Sequence, residues 1–504
     1  MVYPPSLIWQ PCNTTYNITD PAYDLLDNTD CARLSVPLDW SDVHNKERVT
    51  LVLNRFPSNG TAEEKIGSLI INPGGPGSRG TFLVGRYANQ TFNLSKSIHE
   101  KFDVIGLDPR GVGLSSPLKC NISLFEERVD LFPKTQAELD HLAAFHKRIG
   151  DSCREQGGHL VDFMDTGSIV EDLEAYRRAL GGEKLNFLGV SYGTVIGVQY
   201  AEKYPKNIRA MVLDSVVDNS LSPALKVMTS AVAFDRVLDR FFDWCRYSSN
   251  CTWHAKDAPR LFDEVIHKAV EKPLPAPDCQ KQGAACVTSD CKESEGSCYT
   301  EVTISELLEA IGGNIERRDT MNSSWQLLSE SLELARTGNA TAFSGASLDP
   351  NTPLVQAASI WASLATVCQD QERIPTDINE VLQLQRMAST LAPHTLGWGV
   401  NFHESGILSC VGWPTKVSNR SKEPFEITEA PPVLLINSYW DMATTYPEAV
   451  NVQRRLKGSV LLSVTREGHT WYYNGGPEAA AVADEYFVHL KLPAADTEIY
   501  PSGF

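Results

Sequence analysis

Ser191 sits in Gly189-Val-Ser-Tyr-Gly193, and two residues much later in the chain have the types that would make its hydroxyl reactive. A serine hydroxyl is a weak nucleophile at neutral pH. It needs a base to take its proton and an acid to orient that base. Asp441, in Asn437-Ser-Tyr-Trp-Asp-Met-Ala-Thr, and His469, in Thr465-Arg-Glu-Gly-His-Thr, follow it in the order Ser, Asp, His. Together the three suit acyl transfer through a covalent intermediate. Of the eleven histidines, His469 alone lies just past a late apolar run, after the acid, in a short Gly-His loop. Asp214 rivals Asp441 as the acid, because it ends the apolar run that follows the serine.

The elements around these residues must place them at one edge of a sheet. Leu185 to Val190 is an apolar run of strand length, and Thr194 to Ala201 reads as a helix. Strand, G-x-S-x-G and helix form the context of a nucleophile elbow, whose tight turn lifts the serine Oγ clear of the sheet. The helix that follows points its N-terminal N–H groups toward the space where an oxyanion would form. Upstream, Gly67 to Asn72 reads as a buried strand running into Pro73-Gly-Gly-Pro-Gly77, a loop with no bulky side chain to keep a substrate from its backbone. Asp108-Pro-Arg-Gly111 ends another strand and reads as a structural loop, with Asp108 and Arg110 holding its neighbours.

Strands at 102–108, 185–190, 208–214, 432–437 and 459–464 alternate with helical segments, one of them 168–180 closed by Gly181-Gly182. That rhythm implies an α/β fold with a mostly parallel sheet covered on both faces. Cys31 to Asp39 and Arg48 to Arg55 alternate apolar with polar and read as an antiparallel pair at its edge, behind an extended N-terminal arm. From about 216 to 430 the rhythm gives way to a mainly helical pattern with a cysteine-rich loop at 273–300. The expected organisation is a first core part at 1–215, a cap at 216–430 over the C-terminal strand edge, and a second core part at 431–504. A final helix over 477–490 is expected to end the core.

Composition narrows the class. A net charge of −18 argues against nucleic acid or an anionic membrane surface as partner. No apolar run is long enough to span a bilayer. Twelve cysteines and ten N-x-[ST] acceptors (Asn13, Asn17, Asn59, Asn89, Asn93, Asn121, Asn250, Asn322, Asn339, Asn419) fit an oxidising secretory history. The chain opens without a basic and apolar leader, so for a secreted protein the signal peptide is expected to be already removed. Proximity suggests Cys12–Cys31, Cys120–Cys153 and Cys245–Cys251. Cys279, Cys286, Cys291 and Cys298 lack the C-x-x-C pairs of a zinc site and are expected to pair among themselves. No H-E-x-x-H or dinucleotide fingerprint is present, so neither a metal nor another cofactor is expected.

Asn72-Pro-Gly-Gly-Pro-Gly77, Asp108-Pro-Arg-Gly111, Gly189-Val-Ser-Tyr-Gly-Thr194 and Val212-Leu-Asp-Ser-Val-Val-Asp218 together resemble the tripeptidyl and prolyl aminopeptidase group of α/β-hydrolases. Cys368-Gln-Asp370, Cys410-Val-Gly-Trp-Pro414 and the segments around Asp441 and His469 extend the likeness, which runs from about residue 65 to the C-terminus with a patchy match in the cap. The resemblance implies an α/β-hydrolase fold with the cap inserted after the sixth strand. It makes Ser191 the nucleophile, Asp441 the acid and His469 the base. Gly75 and Tyr192 become the backbone oxyanion donors, and Cys368 pairs with Cys410. Pro73 stands where many prolyl aminopeptidases have His, which favours the tripeptidyl-like branch, and Met442-Ala-Thr-Thr replaces a common Thr-Pro pair. The implied activity is cleavage of peptides from the free N-terminus. An esterase, lactonase or acyltransferase acting on a small metabolite with the same triad is the alternative, and a non-catalytic binding module a third reading. An exopeptidase must recognise a substrate ammonium, whose desolvation calls for a carboxylate partner. Asp370, beside Cys368, is the cap acid singled out for that role; capping a helix or pairing with Arg373 is the plainer use for it.

Overall fold

A computed structural model describes residues 7–15, 28–92, 94–280, 298–316, 321–344, 354–370, 375–397, 408–415, 426–472 and 477–501. In chain order its strands are β1 (Gln10–Pro11), β2 (Asp30–Pro37), β3 (Arg48–Phe56), β4 (Gly67–Asn72), β5 (Phe102–Asp108), β6 (Leu185–Val190), β7 (Ile208–Asp214), β8 (Leu274–Pro275), β9 (Glu301–Val302), β10 (Leu434–Trp440), β11 (Val460–Glu467) and β12 (Glu498–Ile499). Ten of them form one sheet in the order β1-β2-β3-β5-β4-β6-β7-β10-β11-β12, and β8 pairs separately with β9. β2 and β3 run antiparallel from Asp30 opposite Arg55 to Pro37 opposite Arg48, and β3 meets β5 antiparallel. From β5 to β12 every pairing is parallel.

A parallel sheet of this kind needs apolar cover on both faces. β5 and β6 are buried at every residue. Their period of two divides the side chains between the faces. Ile70 and Phe187 join the core under helices Gln136–Gly157 and Thr166–Ala179; Leu69, Ile71, Leu188 and Val190 join the opposite core under Gly80–Ala88 and Pro477–His489. Helix Gln136–Gly157 is absent from the sequence expectations, although Thr135-Gln-Ala-Glu138 announces it. Thr135 accepts from the Glu138 N–H, and the Glu138 carboxylate returns to the Thr135 N–H.

Between β7 and β10, β7 being the sixth strand when two-residue β1 is set aside, the described residues hold helices Pro223–Tyr247, Ala258–Glu271, Ile304–Glu316, Met321–Arg336, Leu354–Asp370 and Ile378–Leu391. The first four build a core of their own around Phe241, Trp253, Phe262 and Leu328, which also takes in Met442 from the loop after β10. The last two instead pack into the sheet's core through Trp361, Ala365 and Ala388. The insertion is therefore a helical cap with two kinds of attachment. Helix Pro477–His489 does not end the core as expected: the chain returns and β12 adds a parallel edge strand to β11. Two residues of strand carry too little periodicity to be read.

Cys12–Cys31, Cys120–Cys153, Cys245–Cys251 and Cys368–Cys410 are disulfide-bonded. Cys279 is bonded to Cys298; Cys286 and Cys291 lie outside the described residues, as does Arg373. The loop after β5 is structural in the manner expected. Arg110, fully buried, makes paired 2.8 Å bonds to Asp172 and donates to the carbonyls of Pro37, Leu38 and Phe163. Asp108 accepts from Thr81 N and from Leu114 N.

Candidate active site

Ser191 follows β6 directly and has φ +54°, a left-handed backbone that a non-glycine residue adopts only when its surroundings impose it. Those surroundings are tight. A methyl on Gly189 would stand 2.4 Å from Gly193 O, and one on Gly193 would stand 2.7 Å from Asn72 O. Ser191 N donates to Asp214 O at 2.8 Å, and Thr194 Oγ1 donates back to Ser191 O at 2.6 Å. Helix Gly193–Lys203 begins immediately, so its free N–H end faces the serine.

The Pro73–Gly77 loop lies against this elbow. A methyl on Gly74 would meet Val190 O at 2.3 Å, Tyr192 N at 2.9 Å and Ser191 Cβ at 3.0 Å. Gly74 N is tied to Asn72 Oδ1 at 3.0 Å. Gly75 is exposed and has φ +101°. Among the described residues neither Gly75 N nor Tyr192 N has an intramolecular acceptor, which leaves both N–H groups for a ligand oxygen.

Asp441 and His469 come together at the ends of β10 and β11. His469 Nδ1 lies 2.9 Å from Asp441 Oδ2, the carboxylate being buried and the imidazole only slightly exposed. Asp441 Oδ1 accepts from Ala443 N at 3.0 Å and Thr444 N at 2.8 Å, and Thr444 Oγ1 donates to Oδ2 at 2.8 Å. Thr444 Oγ1 is also 3.3 Å from His469 Nδ1. In sequence Thr444 stands out only as part of Met442-Ala-Thr-Thr, where a Thr-Pro pair is common. The available signal is its place three residues after the acid, where a turn brings its hydroxyl back.

Asp214 occupies a different place. Its Oδ2 accepts from Trp471 N and Tyr472 N, both at 2.7 Å, and Thr470 N donates to Ser215 Oγ at 2.8 Å. One residue pair, 214–215, thus binds the backbone of the His469 loop through side chains and the backbone of Ser191 through Asp214 O. Burial pushes the Asp214 carboxyl up to about 6 against the pull of those two N–H bonds.

The cap touches both strand ends. Arg240, on helix Pro223–Tyr247, pairs with Glu467 and lies 4.8 Å over the Trp440 ring. Asp370 is 2% exposed, and both its oxygens are bonded inside the protein. Thr166 N donates to Oδ1 at 3.0 Å, Thr166 Oγ1 donates to Oδ2 at 2.5 Å, and the Tyr192 hydroxyl also donates to Oδ2. Burial pushes the Asp370 carboxyl and the Tyr192 hydroxyl up, so the tyrosine stays a donor. The structure thus gives Asp370 to Thr166 and Tyr192 and not to an open face that a substrate ammonium could reach.

This sheet order, a serine on a strained strand-to-helix turn and an Asp–His pair at the ends of β10 and β11 define an α/β-hydrolase. The family model for the alpha/beta hydrolase fold matches residues 67–263, and that for TAP-like proteins matches residues 395–499. The serine protease Hip1 of Mycobacterium tuberculosis is 30% identical across 95% of this chain and 87% of its own. The tripeptidyl aminopeptidase of Streptomyces lividans is 27% identical over 90% of this chain and 79% of its own, and a carboxylesterase B of M. tuberculosis is 26% identical over 94% and 86%. The chain belongs to the α/β-hydrolase family, in its TAP-like group, and is a serine hydrolase.

Proposed function

We propose that this chain is a secreted peptidase that cleaves short fragments from the free N-terminus of peptides, with Ser191 as nucleophile, His469 as base and Asp441 as orienting acid. The observation that carries the reading is the 2.9 Å contact of His469 Nδ1 with buried Asp441, on a loop tied through Asp214 to the backbone of Ser191. Asp441 holds the Nδ1–H tautomer, which leaves Nε2 as the acceptor for the Ser191 proton. Ser191 Oγ attacks the carbonyl and its proton passes to His469. Gly75 N and Tyr192 N stabilise the oxyanion, each donor being worth about 3 kcal/mol in the transition state. His469 then protonates the leaving amine, and water repeats the sequence on the acyl-enzyme. The helical cap at 216–430 restricts access to small or terminal substrates. Five disulfides between Cys12 and Cys410 among the described residues, and the lack of any helix there long and apolar enough to cross a membrane, fit a secreted protein. The relatives called serine protease and tripeptidyl aminopeptidase support a peptide substrate.

The relative called a carboxylesterase keeps a second reading open, in which the same triad acts on a small ester. Matched peptides with free and acetylated N-termini, assayed beside short-chain esters, separate the two. The aminopeptidase should cleave the free peptides at least a hundredfold faster than the acetylated ones. Equal rates on both peptides, or turnover of esters alone, would remove the N-terminal reading.

Thr444→Val keeps the side chain's shape and removes one donor from the Asp441 carboxylate. Such a bond to a charged acceptor is worth about 1.5 kcal/mol. kcat/KM should fall about tenfold with little change in thermal midpoint, because the two backbone donors to Asp441 remain.

A further inference from the structure

Helix Leu354–Asp370 touches both proposed halves of the oxyanion hole. At one point it meets the glycine loop: a methyl on Gly77 would stand 2.3 Å from Ser359 O, so only a glycine lets loop and helix lie this close. At its C-terminal end it meets the elbow, where Asp370 holds the Tyr192 hydroxyl and Thr166 Oγ1, themselves 2.6 Å apart.

That end of the helix is bound to the core. Gln369 Oε1 accepts from Met164 N at 3.0 Å, and Gln369 Nε2 donates to Val161 O. Cys368 is bonded to Cys410, and Trp361, Ala362 and Ala365 are buried in the sheet's own core. Tyr192 stands immediately after the nucleophile. The peptide plane that carries its N–H is held on one side by Ser191 O, which accepts from Thr194 N at 2.8 Å and Thr194 Oγ1 at 2.6 Å, and the anchored Tyr192 side chain holds the Cα on the other side.

We propose that helix Leu354–Asp370 sets the oxyanion hole, with Asp370 as a positioning residue that acts through the Tyr192 side chain. The inference rests on the reading of Ser191 as nucleophile and Tyr192 N as an oxyanion donor. The segment Cys368-Gln-Asp370 then has a single role, in which the disulfide and Gln369 fix the helix end and Asp370 passes that fixed position to the elbow. Small displacements matter here, since about 1 Å of misplacement can cost a hundredfold in rate.

The test is the second-order rate at which a fluorophosphonate labels the enzyme. In that reaction Ser191 Oγ bonds to phosphorus, fluoride leaves, the serine proton passes to His469, and the phosphoryl oxygen enters the oxyanion hole. Tyr192→Phe, which loses one hydroxyl, and Asp370→Ala should each label about tenfold more slowly per folded molecule. Asp370→Asn, which keeps an acceptor for Thr166, should recover part of that loss. The double variant Tyr192→Phe/Asp370→Ala should be no slower than the slower single one, because both remove one contact. On a cleaved substrate kcat should fall while KM stays within twofold. A purely structural role would lower the thermal midpoint and leave labelling per folded molecule unchanged. Labelling of Tyr192→Phe within threefold of wild type, with Ser191→Ala unlabelled, would overturn the inference and leave the nucleophile standing. Labelling that persists in Ser191→Ala would overturn the reading beneath it.

Discussion

Ser191→Ala should lose both turnover and fluorophosphonate labelling, with kcat falling on the order of a millionfold. Such a factor corresponds to about 8 kcal/mol of barrier, more than the loss of one oxyanion donor or of the Thr444 bond would cost. The size follows from the roles. Without Oγ there is no covalent intermediate, and neither Asp441–His469 nor the two free N–H groups have an attacking atom to act upon. Residual activity above water should come from the N–H groups and substrate binding alone. The fold should tolerate the change, because Ser191 is held through its backbone, by Asp214 O and Thr194 Oγ1, and alanine keeps both contacts. Alanine also bears the left-handed φ of +54° no worse than serine does. Mass spectrometry of the labelled protein checks the position. Label retained on another residue of the alanine variant would move the nucleophile elsewhere.

The parts of the site that sequence made legible are those whose chemistry depends on order along the chain. Gly189 to Gly193 declares its turn because a strand-length apolar run and a helix flank it directly, although the contacts that require its glycines reach Gly193 O and the distant Asn72 O. The strands were readable for the same reason: burial on both faces leaves a continuous apolar run. What stayed hidden depends on contacts between distant segments. In sequence Asp370 has two uses, to meet a substrate ammonium or, more plainly, to cap a helix or pair with Arg373. Only the fold brings Thr166 and Tyr192 to it, from positions more than a hundred residues earlier. Thr444 was visible as a residue, but not the turn that folds its hydroxyl back onto Asp441. Helix Gln136–Gly157 is a different case, since its capping box, Thr135-Gln-Ala-Glu138, is local in sequence and legible there.

The acid is where two carboxylates compete, and their asparagine variants should behave oppositely. In Asp441→Asn the amide oxygen will stay with Ala443 N and Thr444 N, both of which need an acceptor, and the amide NH2 will turn to His469. A donor facing Nδ1 forces that nitrogen to accept and puts the imidazole proton on Nε2. The base then has no lone pair for Ser191, and kcat should fall about ten-thousandfold with the fold intact. In Asp214→Asn the oxygen can keep Trp471 N and Tyr472 N, and the amide NH2 replaces Oδ1, which has no hydrogen-bond partner among the described residues. The His469 loop should hold, and kcat should stay within about fivefold of wild type, since no tautomer is altered. What should change is stability. With its carboxyl raised from 3.8 to about 6, wild-type Asp214 favours folding fully below pH 3.8, and that contribution is lost as pH rises through 6. Two pKa units correspond to roughly 3 kcal/mol. Glu448, raised by burial to about 7, adds a step of the same sign in both proteins and cancels in the comparison. Asp214→Asn should therefore gain stability over wild type above pH 6 and show no gain near pH 4, as read from urea midpoints at the two pH values. If Asp214→Asn abolishes turnover and Asp441→Asn spares it, the acid is Asp214, and the 2.9 Å contact between His469 and Asp441 is structural only.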